Sequence, residues 1–172
     1  MIRLKSLAWL GIAAALTFVS LQASAAEWRR QTISQDGFSV EFSGPMATAP
    51  VKLAAETQAA VVRSTMYSQS SSDYAFTVGA TLLRGSFNFP AGVSGTVGTF
   101  KCARTDADTS ATLPDGTLTR TVHASQCDGD VQIICRFFQR GQWFYQLIAT
   151  TRSGTDQADS EHFVTSFRLL PL

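Results

Sequence analysis

Charge is scarce in this sequence. Only 16% of its 172 residues are Asp, Glu, Lys or Arg, and 14 basic against 13 acidic residues leave a formal net charge of +1. Nucleic-acid binders usually carry a clustered basic surplus, so that class is set aside. Cysteine is sparse too: Cys102, Cys127 and Cys135 are all there is, with no Cys-x-x-Cys pair. A thioredoxin-type redox site and the common zinc spacings are therefore excluded. Five Pro and twelve Gly leave no room for a collagen-like or low-complexity chain. The dinucleotide fingerprint and the phosphate loop are missing, as is the Gly-x-Ser-x-Gly elbow of serine hydrolases. The nearest approach, Gly92-Val93-Ser94-Gly95-Thr96, fails at its last position. What is plentiful is apolar residue, 45% of the chain, which rules out intrinsic disorder and provides for one packed domain.

Long apolar runs are absent except at the start. Arg3 and Lys5 precede an almost uninterrupted apolar run from Leu7 to Leu21, and Ala23-Ser24-Ala25 follows as a small-x-small site. This order reads as a secretory signal over residues 1–25, cleaved after Ala25 or, alternatively, Ala26. The run is shorter than the ~20 residues that span a bilayer. No Arg-Arg pair precedes it and no Cys stands at the cleavage site, so the expected route is general secretion of a bacterial protein, to the periplasm or the medium. Removing residues 1–25 leaves 12 basic and 13 acidic residues in a chain expected to be soluble and without a transmembrane span. Residues 26–172 are then expected to form a single domain.

Punctuation is frequent in that domain and its apolar runs are short, which favours strands. Trp28–Ile33, Phe38–Phe42, Ala60–Tyr67 and Tyr74–Leu83 read as strands, the last with Tyr74, Phe76, Val78, Ala80 and Leu82 on one face. Met46–Thr57 and Thr105–Gly116 read as irregular connections. Pro90–Arg104 reads as a short helix despite Gly92, Gly95 and Gly98. Thr117–Thr151 reads as a three-strand meander whose Asp128-Gly129 turn pairs Cys127 with Asp130, Ala124 with Ile133 and Val122 with Cys135. One face then gathers Val122, Ala124, Val131, Ile133, Cys135, Phe137, Phe144 and Ile148. The other gathers Thr121, His123, Ser125, Gln132, Ile134, Arg136, Trp143, Tyr145, Leu147 and Ala149. A closing helix, with Thr155 as N-cap, carries Phe163, Val164 and Phe167 as its apolar stripe. The expected fold is α+β, a single central antiparallel sheet of about six strands flanked by two or three helices.

No catalytic, cofactor-binding or metal-ligating set emerges. His123 and His162 lack a His-x-x-x-His spacing and read as a strand histidine and a helix histidine. Asp106 and Asp108 lack the further ligands of a calcium loop. In the meander register Cys127 and Cys135 point to opposite faces, so a Cys102–Cys127 disulfide is expected, with Cys135 a buried thiol. Cys102–Cys135 is the rival if the 93–104 segment packs beside Cys135. Arg136, Trp143, Tyr145 and His123 share a face of the meander and combine aromatic area with polar handles, the side chains enriched where partners bind. They form the candidate partner patch. The competing reading lays the closing helix over that face, with Phe163 and Phe167 on Tyr145 and Leu147.

Phe38-Ser39-Val40-Glu41-Phe42-Ser43-Gly44-Pro45 resembles an aromatic-x-Val-x-Phe-Pro-Gly opening, with Ser43 where the pattern has Pro. Gly141-Gln142-Trp143-Phe144-Tyr145-Gln146-Leu147, followed by Phe163-Val164-Thr165-Ser166-Phe167-Arg168-Leu169, resembles a Gly-x-x-x-Tyr-Gln, Phe-x-x-Ser-Phe-x-Leu ending. Together they resemble the PsbP-like superfamily, which includes extrinsic photosystem proteins, Ran-binding Mog-type proteins and many bacterial exported proteins. The resemblance covers about a third of residues 26–172 and implies an antiparallel sheet flanked by helices. It also implies a non-enzymatic accessory role, docking an unknown protein or assembly. Two alternatives are a small-molecule or lipid carrier with a pocket between helix and sheet, and a hydrolase with dispersed catalytic residues.

Overall fold

A computed structural model describes residues 27–53 and 55–171. The signal segment expected over residues 1–25, with its cleavage site, lies outside the described residues. The described part begins with a hairpin, β1 (Arg29–Ile33) and β2 (Phe38–Phe42), joined by a 3-10 turn at Ser34–Asp36 and closed by Gly37 at φ 70°. β3 (Ala47–Pro50) and a one-turn helix, α1 (Ala55–Gln58), follow. Next come β4 (Val61–Ser70), β5 (Tyr74–Leu83) and α2 (Phe89–Gly98). β6 (Arg104–Thr112), β7 (Leu118–Cys127), β8 (Val131–Arg140) and β9 (Trp143–Arg152) run in succession. α3 (Ala158–Ser166) and β10 (Arg168–Leu169) close the chain.

The strands form two antiparallel sheets, not the expected single sheet of about six. Seven strands are ordered β3-β4-β5-β9-β8-β7-β6, and three are ordered β1-β2-β10. The small sheet stands apart because β2 is apolar towards the large one. Its Phe38, Val40 and Phe42 are fully buried and pack with α3 against Phe76, Val78, Ile134, Tyr145 and Leu147. Adding β2 to an edge of the large sheet would leave that face, and the α3 stripe, in water. Phe163 and Val164 of α3 and Phe167 just after it are all buried there, each stabilising the domain by about 1.5–3 kcal/mol.

The opposite face of the large sheet carries a second core. Val122, Ala124, Ile133, Cys135, Phe137 and Phe144 pack there under Phe89 and Val93 of α2. α2 exists despite its glycines: Asn88 caps it, accepting from Ala91 N, and Pro90 suits its first turn. Gly92 has a positive reason to be glycine, since a Cβ there would lie 2.1 Å from Cζ of Phe87. Among the described residues no helix is long and apolar enough to cross a membrane.

Several local expectations need correction. Residues 104–112 form a strand rather than a loop. β6 is exposed along its whole length and held by its pairing with β7, so it has no apolar alternation to announce it. Residues 47–50 form an edge strand where an irregular connection is expected. Cys127 faces Val131 rather than Asp130. Three turn residues intervene, with Gly129 and Asp130 at φ 81° and 55°. A bulge between Ala124 and Cys127 absorbs the extra residue, so the Val122–Cys135 and Ala124–Ile133 pairs stand as expected. Thr155 is not the N-cap of the last helix. Gln157 occupies that place, and Asp156 accepts the Ala158 N–H.

Candidate functional site

The disulfide joins Cys102 to Cys127, across 25 residues. Cys135 is a free, fully buried thiol in the α2 core. Burial pushes that thiol up to about 12, so it stays protonated and unreactive.

The four patch residues are placed differently from one another. Tyr145 is completely buried under Phe38 and Phe167, and its hydroxyl donates to the main-chain carbonyl of Asp36 at 2.8 Å. Burial pushes its hydroxyl up to about 12. Trp143 is half-buried. It stacks on Tyr145 with ring centroids 5.6 Å apart, and the Arg63 guanidinium lies 5.5 Å from its ring centre. Arg63 is itself held by the buried Asp36 carboxylate, which also accepts from Tyr67 Oη at 2.6 Å. His123 sits opposite Ile134 on β8, while Trp143 sits opposite Arg140. Six residues of strand separate those positions, about 20 Å. α3 lies over the sheet between them, and His123 Nδ1 is 3.6 Å from Glu161 Oε1 on that helix. Trp143 and His123 thus belong to opposite ends of the covered face.

Arg136 belongs to a cluster that the strand register brings together. Arg136, Phe138 and Arg140 alternate on one face of β8, and the tail after α3 runs past them. The surface here forms an open cleft of about 440 Å³, lined by Leu113, Asp115, Arg136, Phe138, Arg140 and Phe167, with residues 168–171 of the tail. Phe138 and Phe167 form its apolar floor, with ring centroids 4.8 Å apart. The Arg136 guanidinium lies 4.9 Å from the centre of the Phe138 ring.

Among the described residues the three arginines donate to main-chain carbonyls. Arg136 Nη1 reaches Val164 O at 3.4 Å, and Arg140 Nη1 reaches Leu170 O at 2.8 Å. Arg168 Nη1 reaches Thr165 O at 2.5 Å and Phe167 O at 2.7 Å. Among the described residues none of the three is in an ion pair, whereas Arg30, Arg63, Arg104 and Arg120 each have a carboxylate. Arg140 Nε is buried with no hydrogen-bond partner. Burial, and after it the charge of Arg168, pull Arg136 below the ordinary guanidinium value. Among the described residues Asp115 is the single carboxylate at the rim. The Thr117 main-chain N–H, more than the charge of Arg140, holds it below the usual range. Arg140 and Arg168 had only a weak signal in the sequence: parity with Arg136 on one strand, and a position just after the apolar stripe.

The remaining candidates serve the fold. His162 Nε2 is 2.7 Å from Glu41 Oε2, and its ring lies 4.3 Å from that of Trp28, fixing α3 to the small sheet. Asp106 pairs with Arg104 and Asp108 with Arg120, so neither carboxylate is left for a cation. Among the described residues no three His, Cys, Asp or Glu side chains gather as a metal site, and no hydroxyl hydrogen-bonds the His123 ring.

No protein-family model and no curated protein matches the chain. A solved structure does. The solution structure of cyanobacterial PsbP (CyanoP) from Synechocystis sp. PCC 6803 superposes with a TM-score of 0.57. It covers 93% of this chain and 98% of that one at 12% sequence identity. The likeness spans nearly the whole of both chains and is one of fold.

Proposed function

We propose that this chain, with its PsbP-like fold, is an exported, non-catalytic accessory protein that docks a partner protein at the β8–β9 hairpin end of its large sheet. The observation that carries the reading is the set of Arg136, Arg140 and Arg168, which surround an apolar floor and, among the described residues, form no ion pair. Guanidinium groups and aromatic rings side by side supply the desolvated, hydrogen-bonding contacts on which protein interfaces depend. Trp143, adjoining Arg140 across the hairpin, extends this surface. Export is supported by the signal-like sequence of residues 1–25 and by the Cys102–Cys127 bond, which an oxidising compartment maintains.

Two measurements test the reading. Intact mass of the exported protein should correspond to a chain starting at Ala26 or Glu27; a membrane-bound chain still beginning at Met1 refutes export. Capture of partners from a periplasmic extract should fall at least tenfold for Arg136→Gln combined with Arg168→Gln. The melting temperature of this variant should stay near that of the native chain. Trp143→Ala should also weaken capture, but its stacking on Tyr145 makes that variant less stable by about 1–3 kcal/mol. Unchanged capture by the folded arginine variant refutes docking at this end.

A further inference from the structure

We propose that the cleft between the end of α3 and β8 is a binding site for an aliphatic monocarboxylate, a hydrocarbon chain of about six to ten carbons ending in a carboxylate. The inference rests on the reading above only in placing the binding site at this end of the sheet.

The cleft has two chemical halves. Its polar half is lined by Arg136, Arg140 and Arg168, three positive charges against one carboxylate among the described residues, that of Asp115 at the rim. Among the described residues no carboxylate forms an ion pair with any of the three, and the planar fork of a guanidinium matches the two oxygens of a carboxylate entering the cleft. Arg136 is weakly satisfied. Its one side-chain hydrogen bond, to Val164 O, is long at 3.4 Å, and Arg168 faces it with like charge. A bound anion relieves that repulsion.

The other half is hydrocarbon. Phe138 and Phe167 are almost fully buried and form the floor, while Leu113, exposed at the surface, and Leu169 border the opening. A purely inorganic anion would leave Leu113 and Leu169 at the opening uncovered, and a neutral alkane would leave the arginines without a carboxylate. The volume of about 440 Å³ stands near the lower end of small-molecule sites, ~300–1,000 Å³, and suits a short chain rather than a two-tailed lipid.

The test is a titration of the ¹⁵N-labelled native chain, residues 26–172, followed by amide chemical shifts, with sodium octanoate, octanol and inorganic phosphate as separate probes. Octanoate should give saturable shifts confined to residues 136–140 and 168–170, with a dissociation constant at least tenfold lower than that of octanol or phosphate. Arg168→Gln, on an exposed side chain, should weaken octanoate at least tenfold. Arg136→Gln should do the same, and Arg136→Lys should restore part of the loss. Binding should weaken as salt is raised. Equal binding of octanol overturns the carboxylate half of the inference, and equal binding of phosphate overturns the hydrocarbon half. Octanoate shifts elsewhere, no shifts at 10 mM, or unchanged affinity in a folded Arg168→Gln variant overturn it altogether. Loss of octanoate binding without loss of protein capture refutes docking at this end and leaves the inference standing. Loss of capture by a chain that never binds octanoate does the reverse.

Discussion

Removing the Cys102–Cys127 bond, by the double substitution C102A/C127A, should lower stability mainly through the unfolded chain. The bond closes a loop of 25 residues. The chain-entropy relation gives about −12 cal/mol/K for a loop of that length, or about 3.5 kcal/mol at 25 °C. The folded side changes little. Ala103 N still donates to Gln126 O at 3.0 Å and Asp128 N to Phe100 O at 3.1 Å, so main-chain hydrogen bonds on both sides of the bridge keep the segment after α2 on β7. For a domain of this size the loss corresponds to a fall of about 10 °C in melting temperature. Urea unfolding of the native and double-substituted chains measures it directly. The slope of unfolding free energy against urea should also rise, because an uncrosslinked denatured chain exposes more surface. A difference below about 1 kcal/mol would show that the denatured chain is already compact across this loop. Peptide mapping that finds Cys135 in the bridge would refute the pairing itself, and with it the register that sends Cys127 and Cys135 to opposite faces.

Three further outcomes follow from titratable groups. Cys135 should resist iodoacetamide in the native chain at pH 8 and react fully in urea, since burial holds its thiol protonated up to about 12; rapid native labelling, followed by mass spectrometry, would place it at the surface. Stability should be whole below about pH 9 and fall as pH rises towards 12. The raised values of Cys135 and Tyr145 mean that the unfolded chain loses these protons first. Tyr145→Phe should flatten that alkaline fall and cost about 1 kcal/mol at pH 7 for the lost bond to the Asp36 carbonyl; an unchanged alkaline limb in urea melts would contradict the burial. On the acid side Glu41 is held below the usual carboxylate value, first by the His162 hydrogen bond and then by Arg30. It stabilises the fold above pH 4.5, and this contribution is lost as pH falls through its lowered value. Glu41→Gln should therefore shift the acid unfolding midpoint measured by circular dichroism, and an unmoved midpoint would show that the α3–β2 tie carries no stability.

Strands with two chemically distinct faces could be read from the chain alone. Residues 38–42 and 74–83 carry regular alternation, and the structure returns both segments with those bounds. The meander register was legible for the same reason: a slip of one residue would exchange Cys135 and Ile133 for Arg136 and Gln132 in the core. β6 was not legible, because a strand stabilised by main-chain pairing and exposed on both faces has no hydrophobic period. The closing helix was found by its stripe, yet its start was misplaced by two residues, since Asp156 and Thr155 are equally good capping residues in isolation.

The sequence by itself determined the strand faces, the odd thiol and the apolar stripe of α3, because each depends on spacing within one short segment. Tertiary structure decided the rest. Whether β2 extends the large sheet or lies across it depends on which apolar surface α3 leaves uncovered, a balance between segments more than a hundred residues apart. The cleft has the same origin. Arg136 and Arg140 come from β8, and Arg168 from the tail beyond α3. Only the packing of Phe167 on Phe138 brings the three charges around one apolar floor. Burial then withholds from the Arg140 Nε–H the solvent that would otherwise have satisfied it.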